Sequence, residues 1–402
     1  AVDFFCGAGG TTRGLIDAGG YVMAGIDKAS GCRQSYVDNN VNPFIDYLAP
    51  RYLNYDIFPV TADYPEGGQA KLFEKLEGII SYYQRRVAHA PLLFAICAPC
   101  QPFTRLSQKK ITAYRKAGRK RDMNLLGEAV KFVEAFKPEL VLSENVRGIG
   151  DPRFGGIWNE FRHALGALGY MTGSKVVCTS RFGVPQFRKR SIMLGVQGAL
   201  VKSERLADLL GGEMLVPEAD PDAVMVSVRE AIDHLPPIRA GEAHSEVANH
   251  RSRTLSPLNL QRLASAAPGE TNAYMETTAF GDLSLDCHRA VNKRFKQRCF
   301  SDVYTRMHPD RPSPTLTTKC HSISNGRFGH YDIKQVRGIS LREAAILQSF
   351  PDDYVFHPKN QIEPIARMIG NAVPPKLAAF FAEYLVNSIE RDALFRHRLP
   401  TH

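Results

Sequence analysis

A cysteine and a glutamate stand where two apolar segments of the chain end. Cys100 follows the apolar stretch from Leu92 to Ala98, and Glu144 closes the next one within Ser143-Glu144-Asn145-Val146. Parallel strands of α/β proteins present functional residues at their carboxyl ends, so both side chains are predicted to lie at one edge of a sheet. A cysteine held there suits nucleophilic attack if its thiolate is stabilised, although the same residue type often serves as inert packing. A buried glutamate needs a partner or a raised pKa, and either arrangement suits proton delivery.

A third motif supplies basic side chains. In Gln186-Phe187-Arg188-Lys189-Arg190, the polar residues Gln186, Arg188 and Arg190 are each two positions apart. Alternation places such residues on one face of a strand, where they would offer donors to a carbonyl or a carboxylate. A basic strand at the surface is the alternative interpretation.

A glycine turn lies between the first predicted strand and the first predicted helix, in Asp3-Phe4-Phe5-Cys6-Gly7-Ala8-Gly9-Gly10. Glycines there let the backbone approach a ligand beside a helix N-terminus, and a purely structural turn is the alternative. Thr12 stands where a dinucleotide fingerprint needs its third glycine. Asp27 could bind a ribose diol and Asp56 an adenine amino group, so the pattern favours an adenosine-containing ligand.

Alternating apolar and amphipathic segments in the first half predict a parallel α/β sheet. The predicted strands are Val2–Phe5, Val22–Ile26, Leu92–Ile96, Leu140–Ser143, Lys175–Cys178 and Ile192–Val196. The predicted helices include Gly127–Phe136, Gly156–Leu168, Ser340–Gln348 and Pro375–Ile389. Between residues 198 and 332 the alternation of strands and helices stops. We therefore predict a catalytic domain at 1–197 and 333–402 and a smaller irregular domain at 198–332.

The composition is that of a globular protein of two lobes. Of 402 residues, 44% are hydrophobic and 23% charged, and the mean hydropathy is −0.23. No apolar run reaches membrane-spanning length and no signal peptide is apparent, which predicts a cytoplasmic, nucleoid-associated protein without a membrane partner. The eight cysteines form no disulfide pattern, and the Cys and His residues between 287 and 321 match no metal spacing, so no metal is expected and they are interpreted as packing and surface residues.

Positive charge is concentrated in two segments that contain no acidic residue. The net charge is +10, and eight basic residues lie between Arg105 and Arg121. A second cluster contains Arg289, Lys293 and Arg294. Either cluster alone would suit a solvated face, whereas both together favour contact with phosphates.

The ordered motifs resemble the DNA cytosine C5-methyltransferase family over nearly the whole chain. They are the Asp3–Gly10 turn, Pro-Cys-Gln at 99–101, Glu-Asn-Val at 144–146, Gln-x-Arg-x-Arg at 186–190, Arg-Glu-Ala-Ala at 342–345 with Leu-Gln-Ser-Phe-Pro at 347–351, and Gly-Asn-Ala-Val-Pro at 370–374. The resemblance implies a Rossmann-like methyltransferase fold, S-adenosylmethionine as methyl donor, and a type found in bacterial restriction-modification systems.

The resemblance also implies a mechanism. Cys100 would add to C6 of a flipped-out cytosine, Glu144 would bind N3 and the exocyclic amine, and Arg190 with Arg188 would bind O2. For the cofactor it assigns Phe5, Gly7, Gly9, Asp27, Asp56, Ile57, Pro99, Asn371 and Val373. Many family members carry a glutamate two residues before Asp27, where this chain has Gly25, so either Asp27 reaches the ribose or that contact is missing.

The expected partner is double-stranded DNA, bound by a monomer. The basic segment 105–121 falls where the family has a loop that closes over the flipped base, and 198–332 corresponds to the target recognition domain. The candidate DNA contacts are Gln101, Thr104, Ser107, Lys109, Lys110, Arg115, Arg251, Arg253, Arg289, Lys293 and Arg294. Two rival functions are C5-methylation of cytosine in tRNA and DNA binding by a catalytically inactive relative. A third is a nucleotide-dependent oxidoreductase on a Rossmann-like sheet, which would not account for Pro-Cys-Gln, Glu-Asn-Val and Gln-x-Arg-x-Arg.

Overall fold

The structure is a computed structural model that describes residues 1–41, 50–86, 90–99, 122–152, 156–201, 216–297 and 299–389. The chain forms two compact units. Unit 1 comprises Ala1–Cys178, Lys189–Asp220 and Pro375–His402, and unit 2 comprises Thr179–Arg188 and Pro221–Pro374. Cys100, Gln101, Thr104, Ser107, Lys109, Lys110 and Arg115 lie outside the described residues.

Unit 1 is built on a seven-stranded sheet in the order β3-β2-β1-β4-β5-β7-β6. The strands are β1 Val2–Phe4, β2 Ala24–Ile26, β3 Arg51–Leu53, β4 Leu93–Ile96, β5 Leu140–Val146, β6 Tyr170–Cys178 and β7 Lys189–Gln197. All six predicted strands are present, and the predicted α/β fold class is confirmed. The predicted parallel pairing is present among β1 to β5, but it was wrong for β7, which pairs antiparallel with both β5 and β6. The ten residues between β6 and β7 are a short connection, which antiparallel neighbours permit and parallel neighbours do not.

Helices of unit 1 cover the sheet and bury its apolar side chains. They are α1 Gly10–Asp17, α2 Arg33–Asn39, α3 Gln69–Gln84, α4 Leu125–Phe136, α5 Ile157–Ala167 and, after unit 2, α11 Pro375–Asn387. Side chains of α3, α4 and α5 share a core with β1, β4 and β5, and Phe4 contacts Phe94 and Phe132 at centroid distances of 5.1 and 5.4 Å. Helix α11 packs on α1, where a Cβ on Gly14 would lie 2.3 Å from the Pro375 carbonyl oxygen.

Unit 2 contains short helices joined by irregular segments. They are α6 Val228–Ile232, α7 Pro257–Ser265, α8 Asp286–Phe295, α9 Leu341–Leu347 and α10 Ile362–Asn371. Helix α9 begins with a capping box in which the Ser340 and Glu343 side chains bind each other's backbone N–H. Among its described residues, unit 2 has isolated β-bridges but no strand, in keeping with the irregular second domain expected.

Buried arginines take over part of the hydrogen bonding that a sheet would provide. Arg306 is fully buried and donates to the backbone carbonyls of His330, Asp332 and Gln335 at 2.7 to 3.0 Å. Arg342 donates in the same way to Ala248 and Tyr354. Buried carbonyl groups need donors, so these guanidinium groups hold the irregular segments of unit 2 together.

The boundary between the compact units differs from the one predicted between domains. Unit 2 includes 179–188 and 333–374 in addition to most of 198–332. The assignment of catalysis and target recognition to the predicted domains stays a prediction. Across the described ranges, no helix combines the length and apolarity needed to cross a membrane.

Candidate active site

The glycine turn after β1 has an unusual backbone that leaves room for a ligand. Phe5, Gly7 and Gly9 have φ values of 63°, 51° and 96°, in the left-handed region. No described atom would lie within 4 Å of a Cβ added at Gly7. A bound molecule could therefore approach this backbone closely, which fits the cofactor role predicted for the three residues.

Asp27 holds this turn from the end of β2. Its carboxylate accepts hydrogen bonds from the backbone N–H groups of Gly7 at 2.9 Å and Ala29 at 2.7 Å. Burial raises the pKa of Asp27 above its usual value, opposed by these hydrogen bonds. Each carboxylate oxygen keeps a second lone pair, so a ribose hydroxyl could still donate to Asp27.

Residue 25 has no room for the glutamate that the family resemblance suggested at this position. A Cβ at Gly25 would lie 2.4 Å from the hydroxyl oxygen of Tyr36, whose side chain is fully buried. Thr12 lies between this hydroxyl, at 3.1 Å, and the Asp3 carboxylate, to which it donates at 2.7 Å. Burial raises the pKa of Asp3 to about 7. Sequence reasoning missed this Asp3–Thr12–Tyr36 network, since nothing in the sequence pairs residue 25 with residue 36.

The predicted adenine neighbours are held firmly in place. The Asp56 carboxylate accepts from the Phe58 backbone N–H at 3.1 Å and from the Tyr64 hydroxyl at 2.5 Å, and Lys28 lies 3.6 Å away. The Ile57 side chain is buried in the core of unit 1. Asp56 therefore has a fixed orientation, with lone pairs left to accept from an amino group.

The end of β5 clamps the segment that leads into Cys100. The Asn145 side-chain amide donates to the Ala98 carbonyl at 3.0 Å, and the Ser143 hydroxyl donates to the Ile96 carbonyl at 2.5 Å. Pro99, the last described residue before Cys100, is exposed. The sequence placed Glu144 at this edge but gave no indication that Asn145 would fix the neighbouring loop.

Glu144 and Arg190 form an ion pair across β5 and β7. Arg190 Nε lies 2.6 Å from Glu144 Oε1. The Arg190 side chain is 9% exposed and the Glu144 side chain is 11% exposed. Cys97 lies close enough that the Glu144 charge adds to the effect of burial, and the pKa of the Cys97 thiol is raised well above its ordinary value. Of the two cysteines in the CxxC motif, Cys97 is therefore held as a neutral thiol.

Gln186 and Arg188 are engaged within unit 2. Arg188 donates to the carbonyls of Leu316 and Gly370, each at 2.9 Å, while Gln186 hydrogen-bonds to Gln348 and accepts from the Leu316 N–H. Strand β7 begins only at Lys189, so the expected strand face shared by Gln186, Arg188 and Arg190 is not formed. Arg188 positions backbone segments of unit 2, and its predicted contact with the substrate carbonyl stays a prediction.

The C-terminal motif forms a fixed loop at the end of α10. Asn371 is exposed, Val373 is buried, and the Ala372 carbonyl accepts from Gln348 at 2.6 Å. A Cβ at Gly370 would lie 2.4 Å from the carbonyl carbon of Thr317, so only glycine fits there. Their role in lining the cofactor cleft stays a prediction.

The predicted DNA contacts in unit 2 differ in how far their charges are neutralised. Arg289 is bound by Asp282 and Asp286 at 2.6 and 2.5 Å. Lys293 and Arg294 are exposed in the last turn of α8. Arg251 donates to the Asn360 carbonyl at 3.4 Å, and Arg253 lies 3.8 Å from Glu363.

The Rossmann-like sheet, the glycine turn and the buried Glu–Arg pair define an α/β protein with a candidate cofactor site, and comparison with known proteins identifies its family. The profile described as C-5 cytosine-specific DNA methylase matches residues 84–387. Type II methylase M.HgiDII of Herpetosiphon aurantiacus is 31% identical over 391 residues, covering 97% of this chain and 95% of the relative. Type II methyltransferase M1.HphI of Haemophilus parahaemolyticus is 28% identical over 384 residues, covering 95% of this chain and 85% of the relative.

Solved structures share the fold. A protein from an Escherichia coli prophage, described as a DNA modification methyltransferase, has a TM-score of 0.66 at 20% identity, covering 96% of this chain and 98% of its own. Dnmt2 methyltransferase of S. pombe has a TM-score of 0.53 at 16% identity, with 96% and 97% coverage. The chain belongs to the C-5 cytosine-specific DNA methylase family. It is a DNA methyltransferase that acts at C5 of cytosine, with S-adenosylmethionine as the methyl donor.

Proposed function

We propose that this protein methylates cytosine within a specific duplex DNA sequence through a covalent Cys100–C6 adduct. The observation that carries the proposal is the nearly buried Glu144–Arg190 pair. Glu144 lies next to Asn145, whose side chain donates to the carbonyl of Ala98, two residues before Cys100. A carboxylate and a guanidinium held together in this way provide the polar groups that a pyrimidine ring needs.

Each side chain has a distinct role in the proposed reaction. The Cys100 thiolate adds to C6 of cytosine, which makes C5 nucleophilic. Glu144 binds N3 and the exocyclic amine, and Arg190 binds O2, so both stabilise charge that develops on the ring. S-adenosylmethionine supplies an electrophilic methyl group when bound. After C5 has taken that group, a water molecule accepts the C5 proton and the electron pair of the C5–H bond forms the C5–C6 double bond. The C6–S bond then breaks, and Cys100 leaves as a thiolate with its electron pair.

The cofactor residues are proposed from the fit of the glycine turn. Phe5, Gly7 and Gly9 would lie against the methionine and adenosine parts, Asp27 would accept from the ribose, and Asp56 with Ile57 would flank the adenine. Pro99, Asn371 and Val373 complete the proposed set. The open space at Gly7 and the fixed carboxylate of Asp56 support this assignment.

The substrate cytosine must leave the helix, because its C5 and C6 atoms cannot be attacked inside the base stack. The basic segment 105–121 is proposed to close over the flipped base, and 198–332 to recognise the target sequence. The two relatives named above are type II enzymes, which favours a role in restriction and modification. A monomer on DNA and a cytoplasmic, nucleoid-associated location also stay proposals.

Trapping with 5-fluorocytosine tests the covalent route. Fluorine at C5 cannot leave as a proton, so the protein, S-adenosylmethionine and a substituted duplex should form an adduct that survives denaturation. The duplex carries the site found by bisulfite sequencing of DNA from cells that express the protein. Cys100→Ser should form no adduct but still bind DNA.

Two other cysteines provide matched controls. Cys97→Ala should still form the adduct, since the Cys97 thiol is held neutral, and so should Cys287→Ser, which removes an exposed thiol of unit 2. The assignment of the nucleophile would be refuted if Cys100→Ser still formed the adduct, or if Cys97→Ala were the one variant that did not.

A further inference from the structure

Unit 2 contains a polar pocket whose basic lining the methyl-transfer chemistry does not use. It has a volume of about 370 Å³, and Arg253 and Lys319 lie on its wall. Leu255 and Ile323 form its apolar part and pack on a small core that includes Met275 and Tyr304. The pocket therefore rests on a packed base and is not an accidental gap between surface loops.

The wall of the pocket is a series of hydrogen-bonded turns between Thr317 and Asn325. Cys320 and Ser322 donate backbone N–H groups to the carbonyls of Thr317 and Lys319 at 3.1 and 2.9 Å. The Ile323 carbonyl accepts from the Tyr304 N–H at 2.7 Å. These bonds fix the backbone of the segment whose side chains Lys319, Ser322 and Ser324 line the pocket.

His321 is a buried polar side chain at this pocket with no hydrogen-bond partner among the described residues. Its side chain is 2% exposed, and neither ring nitrogen has a partner. Burial, with Arg253 and Lys319 nearby, lowers the pKa of His321 to about 4. The ring is therefore neutral at pH 7, and one of its two nitrogens carries a hydrogen available for donation. Buried polar groups usually have a hydrogen-bond partner, so this ring offers one donor and one acceptor to a polar group that enters the pocket.

A carboxylate already marks the position where an anion would be attracted. Glu363, in the first turn of α10, lies 3.8 Å from Arg253, 3.8 Å from Lys319 and 4.0 Å from His321. These distances are too long for hydrogen bonds, so the three nitrogens surround an anion without binding it directly. Glu363 is 55% exposed and does not line the pocket itself, so an anion could enter the pocket beside it.

We propose that the pocket around Arg253, Lys319 and His321 binds a phosphodiester group of the DNA backbone beside Glu363. The inference rests on the proposed function, since DNA is the partner. A phosphate suits the pocket better than a base edge does. Arg253 and Lys319 are 47% and 49% exposed and are not locked by close hydrogen bonds, which a charge contact tolerates and base readout does not.

Salt-dependent DNA binding tests this proposal. For Arg253→Gln and Lys319→Gln, the slope of log affinity against log salt should become shallower by about 0.9 per lost phosphate contact. Over a tenfold range of salt, the affinity ratio of wild type to variant should then change about eightfold. The loss should be equal for a duplex with the methylated site and for one of arbitrary sequence. Glu363→Gln should act in the opposite direction and tighten binding to both duplexes.

Lys334→Gln is the matched control, because it removes one exposed positive charge of unit 2 outside the pocket. It should leave the slope unchanged, and an equal effect of Lys334→Gln would reduce the result to bulk charge and overturn the proposal. If the variants lost affinity for the site-bearing duplex alone, with an unchanged slope of log affinity against log salt, base readout would replace the proposal. Unchanged binding of both variants would overturn it outright. If the wild type itself bound neither duplex, the proposed function would fail instead.

Discussion

The guanidinium Nε of Arg190 lies 2.6 Å from the carboxylate of Glu144 on antiparallel strands of one sheet. Arg190 stands directly opposite Val146, so Glu144, two residues earlier, is its diagonal neighbour on the same face. Each group provides the counter-charge of the other in a site that is nearly closed to water. The orientation of both side chains is therefore set before a cytosine arrives.

A double-mutant cycle should measure this coupling. Glu144→Leu and Arg190→Met should each destabilise the protein by about 3 kcal/mol, because each leaves a nearly buried charge without its partner. The double variant should cost clearly less than the sum, since both charges are then gone. Urea unfolding monitored by circular dichroism gives the four free energies of unfolding.

The exposed pair Arg229–Asp310 provides the control for this cycle. Its side chains are 49% and 64% exposed, and Arg229→Met should leave the free energy of unfolding almost unchanged because water screens the charges. Additive losses at Glu144 and Arg190 would contradict a coupled pair.

Gly25→Ala should destabilise the sheet by about 2 kcal/mol, since the new methyl group would meet the hydroxyl of the buried Tyr36. The same change should weaken binding of S-adenosylmethionine, because β2 leads directly into Asp27. Thermal unfolding and cofactor titration by calorimetry measure the two effects. Gly25→Glu should lower the stability and the cofactor affinity more than Gly25→Ala does, because its side chain is larger.

Gly78→Ala is the matched control for Gly25→Ala. Gly78 lies in the middle of α3, and apart from the adjacent helix backbone no described atom would be within 4 Å of its Cβ. Alanine favours the helix, so this variant should gain roughly 0.5 to 1 kcal/mol. A loss of stability at Gly78 equal to that at Gly25 would show that the clash with Tyr36 is not the cause.

The sequence predicted those parts of the fold that apolar runs encode. Fully buried strands such as β4 were found because their residues are continuously apolar. Strand β3, Arg51–Leu53, was missed because it is short, polar and half-exposed. The reversal of β7 was also missed, because a run of apolar residues does not specify the direction of its neighbours.

The site was predictable where a motif carries the chemistry and less so where three-dimensional packing does. Glu144 and Arg190 were named from motifs, and the structure brings them together. Arg188 belongs to the same motif, yet it donates to carbonyls of Leu316 and Gly370, more than a hundred residues away. The buried ring of His321 was interpreted as packing, because the residues that surround it come from distant segments.

Arg306→Met should destabilise the protein by at least about 3 kcal/mol. Burial lowers the pKa of Arg306 to about 10, so it remains charged at neutral pH, and its removal leaves several buried carbonyls without a donor. Arg306→Lys keeps the charge but offers a single nitrogen, so it should recover only part of the loss. Chemical unfolding compares the three proteins. An unchanged free energy of unfolding in Arg306→Met would show that these hydrogen bonds contribute little.

Acid should weaken the protein through His321. Its pKa in the folded state is about 4, against 6.5 for an unperturbed histidine. Between these values the unfolded chain binds a proton that the folded chain excludes, so the free energy of unfolding rises with pH and falls on acidification from 6.5 towards 4. The contribution of His321 at neutral pH is therefore on the order of 3 kcal/mol relative to its value at acid pH.

His321→Asn, which is neutral throughout, should lose this part of the pH dependence. His250 and His288 also have lowered pKa values, but they are present in both proteins, so the difference between wild type and variant isolates His321. Lys319→Gln removes a neighbouring positive charge, which raises the pKa of His321 and should give an intermediate profile. Urea unfolding at intervals from pH 7 to pH 4 measures all three. Superimposable profiles of wild type and His321→Asn would show that the buried ring does not resist protonation.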